Sequence, residues 1–92
     1  MSDVFTLDKL RAVGAKVLKE WCEEHDNIHI PMPTIVWNRR LKKTAGTWTC
    51  SKLQIDLSVA YFEQFGYERT EQTLRHELAH HINYLFYDGS GH

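Results

Sequence analysis

Two histidines four residues apart, His76 and His80, stand in a segment whose apolar residues Leu74, Leu78, Ile82 and Leu85 recur at helical spacing. No other feature constrains the chain as much. Four residues along an α-helix amount to about 40° of rotation and about 6 Å of rise, so both imidazoles project from one face and can grip one metal ion. The apolar stripe lies on roughly the opposite side. The segment is therefore expected to be a helix packed by one face and open on the other. Glu77 lies about 100° from His76, beside such an ion and not on it. A carboxylate placed there can accept a proton from an activated water, the division of labour of zinc peptidases that carry H-E-x-x-H on a helix.

A catalytic zinc site needs a third protein ligand and an open position. The elongated motif with a glycine three residues and a histidine six residues after His80 is excluded, because those positions hold Asn83 and Phe86. Only Asp88 and His92 lie beyond the motif helix. Imidazole suits zinc better than an isolated aspartate, and the loop Asp88-Gly89-Ser90-Gly91 is long enough to swing His92 back. His92 is the favoured third ligand, with Asp88 or a ligand from outside this chain as the alternatives. His81 is expected to be packed or hydrogen-bonded. His25 and His29, which flank the first loop, are expected to be solvated. Thr73, Asn83, Tyr84 and Tyr87 share the motif face, and no spacing chooses among them as ligand-orienting groups.

The rest of the chain predicts an α+β domain. Leu7, Leu10, Val13, Val17, Leu18, Trp21 and Cys22 form one stripe from about 7 to 24, with Thr6 as N-cap. Pro31-Met32-Pro33 forbids helix and favours extended backbone. Three short strands are expected at Thr34-Ile35-Val36-Trp37-Asn38, Thr47-Trp48-Thr49-Cys50 and Leu53-Gln54-Ile55-Asp56-Leu57, joined as antiparallel hairpins through Ala45-Gly46 and Ser51-Lys52. Ser58 caps a short helix that Gly66 ends, and Thr70 caps the last helix, from about 71 to 87, which Gly89 ends. The order α, β, β, β, α, α is that of helices laid on one antiparallel sheet.

With 92 residues, 42% of them hydrophobic and 25% charged, the chain makes one domain with a small core, to which a bound metal adds useful constraint. A net charge of −1 excludes global attraction to nucleic acid, so any such contact is local. Arg39, Arg40, Lys42 and Lys43 near Trp37 and Trp48 are the one cluster of the right kind, although a basic turn is usually a solvated tip and sheet tryptophans usually belong to the core. Two cysteines are too few for a disulfide framework and favour a reducing, intracellular setting. No apolar run is long enough to span a membrane, and the N-terminus lacks a signal-peptide pattern.

The run Arg40-Leu41-Lys42-Lys43-Thr44-Ala45-Gly46, then Ile55-Asp56-Leu57-Ser58, then Thr73-Leu74-Arg75-His76-Glu77-Leu78-Ala79-His80 and a trailing Gly91-His92 resembles the SprT-like (Spartan-type) metallopeptidase domain. The likeness covers about residues 35 to 92, and the N-terminal helix is compatible with it. It implies a zincin-like fold over residues 1–92, a zinc ion on His76, His80 and His92, and Glu77 as general base. It also implies a protein or peptide substrate and an association with proteins crosslinked to or bound on DNA. Members usually continue past the Gly-His pair, so a chain ending on a metal ligand is expected to be truncated. The rival expectations are a metal-stabilised binding module whose zinc is closed off by a fourth protein ligand, and a zinc peptidase unrelated to DNA.

Overall fold

The computed structural model describes residues 3–88. The first helix, α1, runs Asp3–Glu24 and buries Leu7, Leu10 and Leu18, with Val13, Val17 and Trp21 half-buried against the same core. It begins before the expected cap: Thr6 lies inside it, because no glycine or proline between 3 and 6 interrupts the helical backbone. Arg11 fastens α1 to the sheet by donating from Nε and Nη2 to the Ile35 carbonyl, at 3.1 and 2.9 Å. Asp26 and Asn27, both with left-handed backbone, turn the chain out of the helix.

Three strands follow, β1 (Thr34–Asn38), β2 (Gly46–Thr49) and β3 (Gln54–Ser58). The β2–β3 hairpin forms as expected, antiparallel with Gly46 opposite Leu57 and Thr49 opposite Gln54. The β1–β2 hairpin does not form. The sheet order is β1-β3-β2, with β1 parallel to β3 and Thr34 opposite Gln54, so the sheet is mixed and not antiparallel. The physical reason lies in the connection. Residues 39–45 arch across the C-terminal end of β3, where the Ser58 N–H donates to the Ala45 carbonyl (2.9 Å) and the Ser58 hydroxyl donates to the Leu41 carbonyl (2.8 Å). The whole path from 39 to 53 then has the length that a parallel pairing needs. The strand that takes the centre has Ile55 and Leu57 wholly buried.

Ser58 also caps the next helix, α2 (Val59–Phe65), by accepting from the Tyr61 N–H at 3.0 Å, and Gly66 at φ 90° ends it. The last helix, α3, covers Tyr67–Ile82. It starts four residues before the expected position, and Thr70 is not its cap. Thr70 is buried one turn in, and its hydroxyl donates back to the Gly66 carbonyl at 3.0 Å. A π-helical turn, Asn83–Asp88, replaces the last part of the expected α-helix, and the expected stop at Gly89 lies outside the described residues.

Leu74, Leu78 and Ile82 bury the inner face of α3 with Leu10, Ile35, Ile55 and Leu57. Two further devices hold α3 against the sheet. Gly46 allows contact: a Cβ there would stand 2.9 Å from the Asp56 carbonyl oxygen and 2.9 Å from the Thr73 methyl. His81, fully buried, bridges two segments, its Nδ1 accepting from Trp48 Nε1–H at 3.2 Å and its Nε2–H donating to the Pro31 carbonyl at 2.7 Å. Only the neutral ring with its proton on Nε2 makes both bonds. Burial lowers its pKa, and the bond to Pro31 opposes that in part.

Gly46→Ala should cost about 1–3 kcal/mol by overpacking β2 against α3. His81→Phe should cost at least as much by taking the partner from the Trp48 indole N–H and from the Pro31 carbonyl. Urea unfolding measures both, and a variant within about 0.5 kcal/mol of the parent would show that its contact does not hold α3.

Candidate functional site

The outer face of α3 carries His76 and His80 in solvent, with their Nε2 atoms 3.2 Å apart and their rings nearly perpendicular at 89°. Two nitrogens each about 2.0–2.1 Å from one tetrahedral ion stand about 3.3 Å apart. The pair therefore already has the separation that a shared cation requires. At that separation the two exposed rings share a hydrogen bond, Nε2 to Nε2.

Glu77 follows His76 around the helix and is half-buried. Burial raises its pKa above the ordinary carboxylate range, and His80 and then His76 pull it back in part. Among the described residues no group of three or more His, Cys, Asp or Glu side chains could hold a metal ion. His92, the expected third ligand, lies outside the described residues, as does the side chain of Asp88.

A cleft of about 360 Å³ opens beside the pair, lined by His76 and Glu77 together with Thr73, Gly46, Tyr61 and Arg69. One wall is the outer face of α3, and the arch and α2 close the other. A second recess of about 220 Å³ shares Thr44, Ala45 and Tyr61 with it and continues to Lys42 and Lys43. Arg69 and Tyr61 were not among the expected site residues. Arg69 stands seven residues before His76, on the same helical stripe, and an α3 begun at residue 71 leaves it out. A larger recess of about 440 Å³, between α1 and the segment 27–32, shares no residue with the cleft.

The other expectations resolve individually. His81 is packed and hydrogen-bonded. His29 is exposed, as expected, but His25 is not solvated: it stacks on Trp21 at 3.8 Å, and its Nδ1 bonds the Trp21 carbonyl at 2.8 Å, capping the end of α1. Thr73 is occupied in packing against β2, with its hydroxyl donating to the Arg69 carbonyl. Tyr84 and Tyr87 are exposed on the π-helical turn, Tyr84 beside Trp48. Arg39, Arg40, Lys42 and Lys43 are exposed together, on the arch and not on a hairpin tip. Trp37 packs on Phe62 and Trp48 on His81, so neither is a free stacking surface.

The chain belongs to the SprT-like family, whose family model matches residues 15–92. Among curated relatives, a protein called SprT-like from Anoxybacillus flavithermus is 39% identical over 61% of this chain and 36% of its own length. Proteins of the same description from Streptococcus sanguinis and Streptococcus gordonii are 38% and 36% identical, each over 60% of this chain. The chain spans a little over a third of the length of these relatives. No solved structure gives a significant match. Among the described residues no helix is long and apolar enough to cross a membrane.

A raised pKa at Glu77 means that its ionised form is less favourable folded than unfolded. The penalty appears as pH rises through the ordinary carboxylate range and is absent below it. Glu77→Gln in metal-free protein should therefore melt no lower than the parent at pH 7, and any advantage should vanish near pH 4. Thermal melts at the two pH values test this. A variant less stable by the same margin at both would show that the carboxylate carries no such penalty.

Proposed function

We propose that the chain is a zinc-dependent endopeptidase domain, with zinc held by His76, His80 and His92 and with Glu77 as general base. The observation that supports this most strongly is the 3.2 Å separation of two solvent-facing Nε2 atoms with a half-buried carboxylate next to them at the mouth of a cleft. Zinc, when bound, supplies Lewis acidity toward water and a peptide carbonyl. Glu77 takes the proton of the attacking water on its carboxylate and returns it to the leaving amine. Its partial burial strengthens it as a base. The cleft holds the extended substrate against α3, and the free thiols of Cys22 and Cys50 suit the reducing interior of a cell.

As part of the same reading, the domain acts on proteins bound or crosslinked to DNA and meets the phosphate backbone through Arg39, Arg40, Lys42 and Lys43. The arch supports this by gathering the four side chains on one exposed segment that continues into the cleft. Because the tryptophans are packed, the contact is electrostatic and not a stacking one.

Purified protein should bind about one zinc per chain, and the His76→Ala, His80→Ala double variant should lose it; metal analysis that finds zinc unchanged would sink the assignment. Glu77→Gln should keep zinc and lose about 10²-fold or more in protein cleavage. Zinc binding without any cleavage by the parent would favour a binding module.

Affinity for single-stranded DNA should fall steeply with salt, and neutralising Arg40 and Lys43 should flatten that slope. Salt-independent binding would count against phosphate contact.

A further inference from the structure

We propose that the cleft selects an acidic residue in its substrate about three positions from the bond to be cut, and that Arg69 makes the selection. The inference rests on the peptidase reading for the position of that bond and on the cleft itself for everything else.

Arg69 precedes His76 by two helical turns, which leaves the two about 20° apart around α3 and separated by about 10.5 Å of rise. An extended peptide covers that length in about three residues. The guanidinium lies over the Phe65 ring at 5.4 Å, and among the described residues no carboxylate is within ion-pair distance of it. Its near neighbour Glu71 is already paired with Arg75 at 3.0 Å. Stacking on a ring face leaves the edge N–H groups of a guanidinium free, and that fork matches a carboxylate in a bidentate geometry.

Charge within the groove points the same way. The cleft and the recess that continues it contain Arg69, Lys42 and Lys43 against the single carboxylate of Glu77, which sits at the histidine end. A substrate lying along the groove thus meets positive charge on the side away from Glu77. Recesses of about 360 and 220 Å³ accept side chains, and Tyr61 is already packed on Phe65 at 4.7 Å, so a carboxylate side chain fits this groove better than a nucleic-acid strand does.

The test uses the full chain carrying Glu77→Gln and loaded with zinc, so that binding is read without turnover. Two labelled ten-residue peptides differ only at the residues third from the central bond on both sides, which are Glu in one and Gln in the other. Fluorescence anisotropy at low salt should show the Glu peptide bound about tenfold more tightly. Adding Arg69→Gln should reduce the difference to less than about twofold. Arg69→Glu should shift the preference to a peptide with Lys at those positions.

Equal affinities, no measurable binding of the Glu peptide, or a preference that survives Arg69→Gln would overturn the inference. So would an Arg69→Gln variant that loses single-stranded DNA binding while its peptide preference is intact. Failure of the parent chain to cleave any protein, with the peptide preference present, would remove the peptidase reading and leave the carboxylate selectivity standing.

Discussion

The hydrogen bonds of His81 are the constraint on which the rest of this small domain depends. One ring, wholly buried, accepts from Trp48 on β2 and donates to the carbonyl of Pro31 in the segment that enters β1. Its neighbour in sequence, His80, points into solvent. About 100° of helical rotation separates a histidine that serves as a structural strut from one available to chemistry. The strut works only as the neutral Nε2–H tautomer, and burial favours the uncharged ring. The exposed positions of the outer face, His76 and His80, take no part in that packing.

That division lets a weakly favourable local arrangement persist. Two imidazoles on an exposed helix face share one hydrogen bond for which water competes, and a half-buried carboxylate next to them is disfavoured by desolvation. Neither would hold its place in a marginal helix. Here Leu74, Leu78 and Ile82 fix α3 from below and Gly46 lets β2 close on Thr73, so the backbone beneath the histidines is held. Stability is drawn from one face of the helix and spent on the other.

Local features of this chain were legible in its residues, and the non-local ones were not. The spacing of His76 and His80 against Leu74, Leu78 and Ile82 is a property of a single helix, and the structure realises it. The cap at Ser58 and the stop at Gly66 are local as well, and both are found. Thr70 misled because a threonine hydroxyl bonds backbone equally well from a cap or from one turn inside a helix, and only burial distinguishes the two. His25 misled because its partner Trp21 is one helical turn upstream, where stacking competes successfully with water. Strand order was beyond reach for a different reason. A seven-residue connection is compatible with a loose hairpin or an arch, and what decides is a non-local contact, the hydrogen bonds of Ser58 to Leu41 and Ala45.

The arch that defeated the expectation of a simple hairpin is also what makes a cleft. In an antiparallel meander, residues 39–45 would project from the end of a hairpin, away from the helices. Crossing the end of β3 instead, they are tied down by both the N–H and the hydroxyl of Ser58, and that same hydroxyl starts α2 by accepting from Tyr61. One serine therefore joins arch, central strand and helix, and it brings Thr44 and Ala45 opposite Tyr61 and the outer face of α3. The walls of the cleft come from elements far apart in sequence, and parallel pairing of β1 with β3 is the topological condition for bringing them together. A helix carrying His76, Glu77 and His80 supplies reactive groups on an open surface. The arch gives that surface a second side and so turns it into a cleft.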